Sequence, residues 1–128
     1  MTNLTELTAV YQWPLPEEKS FIRQAEKGLE KEGPDVVQLL NQTGETPVVA
    51  GAGSDGLAVV TDKRTIVVKR GKIRKQVPHA SVRQTRLMKH PGLGPFVAIY
   101  GSGSTNIMLH TMSMANAVAV TIDRICGL

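Results

Sequence analysis

The residues best able to do chemistry in this 128-residue chain are its cations. Lys63, Arg64, Lys69, Arg70, Lys72, Arg74 and Lys75 crowd together, Arg83 follows, and no Asp or Glu lies between Lys63 and Lys89. Cations at that density attract the phosphates of lipid headgroups or nucleic acid, or an acidic protein surface. From Glu17 to Glu45 the balance reverses and acids outnumber bases. The basic run therefore has two readings: a site for an anionic partner, or a surface that docks on the chain's own acidic segment.

Other chemistries are poorly supplied. Gly51-Ala52-Gly53-Ser54-Asp55-Gly56 matches G-x-G-x-x-G, but a dinucleotide loop must open a helix whose N-terminus faces the pyrophosphate. Here the loop runs into Leu57-Ala58-Val59-Val60, so a hairpin turn is expected, with glycines supplying positive φ. His79, His90 and His110 are scattered and lack metal-ligand spacing. Cys126 sits beside Ile122 and Ile125 as a small apolar residue, and from residue 46 onward the only carboxylates are Asp55, Asp62 and Asp123, which leaves little for paired acid–base work. No catalytic residue, metal, cofactor or small-molecule substrate is inferred. A lone cysteine implies no oxidising compartment, and Met1 to Val10 carry no basic and apolar pair of regions that would mark a signal peptide.

The elements that must position the cations follow from periodicity. Residues 1–15 read as an arm. Pro16 suits a first helical turn, and Phe21, Ile22, Ala25 and Leu29 recur at helical spacing up to Glu32. Gly33-Pro34 is expected to break that helix, with a short second one from Asp35 to near Gly44. From Thr46 the pattern changes to short β-branched runs between turn residues. Strands are expected at 46–51, 57–61, 65–69, 73–77, 82–88, 96–100 and 105–110. Connections this short pair neighbours as antiparallel hairpins, giving a meander. Arg74 falls on the face opposite Ile73 and Lys75, and the next pairing could bring Arg83 close to Lys75, although periodicity does not fix that register. A closing helix runs from Ser113 to Gly127, with Ala115, Val118, Ala119, Ile122 and Ile125 on one stripe.

The stretch Gly56-Leu57-Ala58-Val59-Val60-Thr61-Asp62-Lys63-Arg64-Thr65-Ile66-Val67-Val68 resembles the hairpin of the bacterial pleckstrin-homology-like domains. Gly71 and then Val77-Pro78-His79-Ala80-Ser81-Val82 resemble that family's next turn and strand start, with His79 where an aromatic residue is common. The likeness covers residues 46–128. It implies a mainly β, α+β fold: a seven-strand antiparallel split barrel closed by a C-terminal helix, with residues 1–45 as an N-terminal helical extension. Family members bind lipids, peptides or each other, so the fold does not fix the ligand.

The expected function is that of a cytoplasmic, non-enzymatic adaptor of bacterial or phage origin that binds another protein or a second copy of itself. The exposed strand edges and the helix face of Phe21, Ile22, Ala25 and Leu29 are the candidate surfaces. Peripheral binding to an anionic inner-membrane surface through the basic turns is the alternative. Nucleic-acid binding by the same patch is a second one, disfavoured by aromatic content of only 4%.

Overall fold

The computed structural model describes residues 2–128. All seven strands form: β1 (Pro47–Gly53), β2 (Gly56–Thr61), β3 (Arg64–Lys69), β4 (Lys72–Pro78), β5 (Gln84–His90), β6 (Gly94–Tyr100) and β7 (Ser104–Met108). They make two antiparallel sheets, ordered β1-β2-β3-β4 and β5-β6-β7. Strand pairing does not close the two into one barrel. The expected meander is interrupted once, between β4 and β5, where Pro78 and a 3₁₀ turn (His79–Ser81) redirect the chain. Arg83 precedes β5, and since β4 and β5 lie in different sheets no strand pairing brings it to Lys75.

Three α-helices complete the fold: α1 (Leu4–Val10), α2 (Ile22–Thr43) and α3 (Met112–Cys126). The arm expected at residues 1–15 thus contains a helix, capped by the Asn3 side chain and anchored by the fully buried Leu7. Pro16–Phe21 form a 3₁₀ turn rather than the start of α2. The expected break at Gly33-Pro34 does not occur. A proline inside a helix costs about 3 kcal/mol, whereas burying a Val or Leu side chain stabilises by about 1.5–3 kcal/mol each. Val36 and Leu40 lie beyond the proline and are both fully buried, so a continuous helix wins. The helix stops at Gly44, as the sequence suggests, and the structure puts that glycine in the left-handed conformation.

The helices α2 and α3 lie on opposite faces of β1. A Cβ added to Gly28 of α2 would stand 2.7 Å from the Ala52 Cβ, whereas one on the neighbouring Gly51 would meet Leu109 and Met114. The first sheet is therefore covered on both sides. That is why Leu57 to Val60 and Ile66 to Val68 are buried without alternation. One apolar cluster joins Leu7, Tyr11, Ala25, Val36 and Leu40 to the strands and to Val118 and Ile122 of α3, running across the expected boundary at residue 45. Ala25 and Leu29, expected on an interaction face, belong to this core, while Phe21 and Ile22 are exposed. Helical spacing marks an apolar stripe but not whether the stripe meets a partner or the chain itself.

The sheets meet at a close backbone approach. A Cβ on Gly53 would stand 1.7 Å from the Met108 carbonyl oxygen. Gly53→Ala should therefore destabilise the fold by about 1–3 kcal/mol in urea unfolding, as overpacking does. Gly103→Ala, with nothing near the added carbon, should leave the midpoint unchanged.

Candidate functional site

The expected basic patch is divided by the fold. Lys63 and Arg64 stand at the β2–β3 turn, whereas Lys69, Arg70 and Lys72 stand at the β3–β4 turn, the opposite end of β3. They do not converge at one end of the sheet. Arg64 is part of the structure: its guanidinium lies 2.9 Å from the buried Glu45 carboxylate and donates to Gln76. Thr61 donates to the same carboxylate and accepts the Lys63 and Arg64 N–H groups, while Asp62 takes the Thr46 N–H. Lys75 pairs with Asp55 at 2.8 Å and also donates to the Asn106 carbonyl, and Lys69 donates to the Ser54 carbonyl. Lys63, Arg70, Lys72, Arg74 and Arg83 remain exposed.

The acidic segment does dock on a basic turn, but through backbone. Arg70 has φ 53°, a left-handed conformation that a two-residue turn with Gly71 requires. Its N–H donates to the buried Glu32 carboxylate of α2, which holds the strained turn in place. The histidines take separate structural parts. His90 Nδ1 accepts the Gly92 and Leu93 N–H groups in the β5–β6 turn, and His79 Nε2 bonds the Thr65 hydroxyl. Burial pushes His79 and His110 below the ordinary histidine value and the Cys126 thiol above its own. No group of three or more His, Cys, Asp or Glu among the described residues could hold a metal, and no helix is long and apolar enough to cross a membrane.

What the structure brings together instead is a set of strand edges, three of them occupied or blunted. On β1, the Ala50 carbonyl accepts the Gln12 N–H, which follows a bridge from Tyr11, and the Ala52 carbonyl accepts the His110 N–H. On β7, the Met108 carbonyl abuts Gly53 and the Asn106 carbonyl takes the Lys75 ammonium. The β4 edge is irregular at Arg74, where the pairing with β3 shifts register, and Lys72 and Arg74 project from it. Bulges and charges of this kind keep an edge from pairing.

The β5 edge carries Arg86 and Lys89 but has no bulge and no covering segment. Its seven residues pair with β6 in unbroken register, and every one except Thr85 is exposed. The Pro95 carbonyl turns to Leu109, so alternation gives the Phe96, Ala98 and Tyr100 backbone groups to β5. The N–H and C=O groups of Thr85, Leu87 and Lys89 are then left pointing outward from the sheet. The side chains of the same three residues face α3. Thr85 donates to Asp123, Leu87 is 39% exposed, and Lys89 reaches the cleft at the start of α3. Val120, 44% exposed, lies one turn before Asp123 on the same helix face. Exposed apolar side chains on β5 and α3 therefore stand beside a strand edge with unpaired backbone. Alternating polarity could have flagged β5 as half-exposed, but edge position depends on which strands fail to pair.

The buried ion pair makes a separate prediction. Burial pushes the Glu45 carboxyl up, but the bonds from Arg64 and Thr61 outweigh burial and hold it below its ordinary value of 4.5. A lowered folded-state pKa contributes stability above the unfolded value that is lost as pH falls through the folded one. Urea unfolding should thus show stability dropping below about pH 4.5. Arg64→Met should cost about 3 kcal/mol at pH 7 by stranding a buried carboxylate, and should remove that part of the acid-side loss. No protein-family model, curated protein or solved structure matches this chain.

Proposed function

We propose that this protein is a pleckstrin-homology-like binding module that takes an extended segment of another protein as an added strand on β5, alongside α3. One observation carries the reading. Of the strand edges, β5 alone combines regular geometry, outward backbone donors and acceptors at Thr85, Leu87 and Lys89, and exposed apolar side chains at Leu87 and Met88. Strand addition uses such an edge: main-chain bonds supply affinity and alternate side-chain pockets supply selectivity. The order of seven antiparallel strands in two sheets and then a helix fits the family resemblance carried by Gly56 to Val68 and Val77 to Val82.

The partner segment should be acidic as well as apolar. Arg83, Arg86 and Lys89 sit on or beside β5, and the chain has no carboxylate from Lys63 through Ile122. Binding anionic lipid or nucleic acid through the basic turns is supported less well. Arg64, Lys69 and Lys75 have intramolecular partners, and the remaining cations are distributed over both ends of β3.

Selection of random twelve-residue peptides on the immobilised chain, followed by amide hydrogen exchange of the complex, tests this reading. Selected peptides should be acidic with alternating apolar residues, and should slow exchange at Thr85, Leu87 and Lys89. Leu87→Pro removes one outward N–H and is tolerated at an edge, so it should leave thermal unfolding nearly unchanged while weakening binding at least tenfold. Protection confined to residues 63–75, or retention on vesicles rich in anionic lipid with no peptide selected, would overturn it.

A further inference from the structure

A cleft of about 490 Å³ opens at the Lys89 end of β5. Its size falls within the range of pockets that bury small ligands or anchor side chains. One wall is Phe21, stacked on His110 with ring centroids 6.4 Å apart and planes 19° from parallel. The β5–β6 turn supplies the other, with Leu93 66% exposed, and Met112 (37% exposed) opens α3 beside the buried Leu109. Phe21, Leu93 and Met112 are among the large apolar residues that the fold leaves to solvent, and all three line this one cleft. Exposed apolar side chains that gather at a concave site mark a binding surface more strongly than the same residues scattered.

The polar groups at the cleft have a definite arrangement. Glu18 accepts from the Ser113 hydroxyl and N–H, and Leu15 N–H donates back to it, so its carboxylate is held at the start of α3. Burial pushes it up, but the hydrogen bonds from Ser113 and Leu15 outweigh burial and hold it below the ordinary carboxylate value. Burial pushes His110 below the ordinary histidine value, which favours its neutral form. Lys89 is the cation on the lining, and the two ion pairs among the described residues, Arg64–Glu45 and Lys75–Asp55, leave it without a carboxylate partner. Lys89 is also the last outward-facing position of the β5 edge, so edge and cleft are continuous.

We infer that this cleft is an anchor pocket for an aromatic side chain with a carboxylate beside it, the ring lying against Phe21, Leu93 and Met112 and the carboxylate meeting Lys89. The inference rests on the strand-addition reading for its biological occupant, but the pocket chemistry stands on its own. An apolar cleft with one unpartnered cation at its mouth complements an aromatic carboxylate. An acidic strand leaving β5 past Lys89 delivers that pair of groups.

N-acetyltryptophan carries both features and needs no strand, so it separates the two ideas. Titrated into the ¹⁵N-labelled full chain, it should shift the amides of Leu93 and of Leu109 to Met112. N-acetyltryptophanamide, or N-acetyltryptophan with Lys89→Gln, should bind at least fivefold more weakly, and N-acetylalanine should give no shifts at these amides. Phe21→Ala should abolish the effect. Phe21 lies outside the core, and Leu93→Ser at a two-thirds exposed site provides a second variant should the first unfold. Absent shifts at these amides, or shifts indifferent to both variants, overturn the pocket. If N-acetyltryptophan binds while selected peptides leave Thr85, Leu87 and Lys89 unprotected, the pocket stands and strand addition falls. If the β5 amides are protected but the selected peptides show no aromatic preference, strand addition stands and the pocket falls.

Discussion

The outer edge of β1 is the constraint on which the remaining structure depends. Two segments far apart in the chain must dock on it side by side, Gln12 at Ala50 and His110 at Ala52. Backbone N–H and C=O groups buried without partners are costly, so this shared edge satisfies strand, arm and helix approach together. The approach is so close that only glycine fits at position 53, where the Met108 carbonyl occupies the space of a side chain. The glycine-rich stretch that imitates a nucleotide loop is therefore a joint between sheets. Gly51 and Gly53 admit the second layer, and Gly56, at φ 131°, completes the turn with Ser54 and Asp55.

A second constraint is the shortage of rings. Tyr11 is the aromatic residue of the core; its hydroxyl donates to the Ala25 carbonyl, which lets the ring stay buried, and that burial pushes its pKa up. Everything else in the cluster is aliphatic or Met. Small side chains fill space only when layers approach closely, which the Gly28–Ala52 contact between α2 and β1 achieves. Trp13 and Phe21 are thereby left at the surface, Trp13 packing edge-on against Tyr11 and Phe21 forming a cleft wall with His110.

Edge management links this architecture to binding. A sheet edge with unpaired backbone is a template for another strand, and proteins usually blunt it. Here the arm and the α3 connection cover β1, Lys75 and Gly53 close β7, and a bulge with projecting Arg74 disrupts β4. The β5 strand keeps its regular register, and α3 is held beside it by the Thr85–Asp123 bond. Some of the cations that crowd together along the chain serve this scaffold: Arg64 compensates Glu45, and Lys75 ties the β1–β2 turn to β7.

Much of the fold was legible locally. Strand positions, the helix stop at Gly44, the Asp62 turn and the closing helix depend on short-range patterns and turn chemistry, which residues a few positions apart decide. The unbroken apolar runs Leu57–Val60 and Ile66–Val68 also carried a sign that the first sheet is covered on both faces, and hence that Ala25 and Leu29 turn inward. The sequence alone determined that this is a basic, aromatic-poor chain of short antiparallel strands with a closing helix. Tertiary structure decided the rest: α2 runs through Pro34 because Val36 and Leu40 are held by the sheet, and the basic run divides because successive turns fall at opposite ends of β3. It decided too that β5 is the bare edge, because exposure of an edge depends on which distant segments reach the others first, and no local pattern encodes that competition.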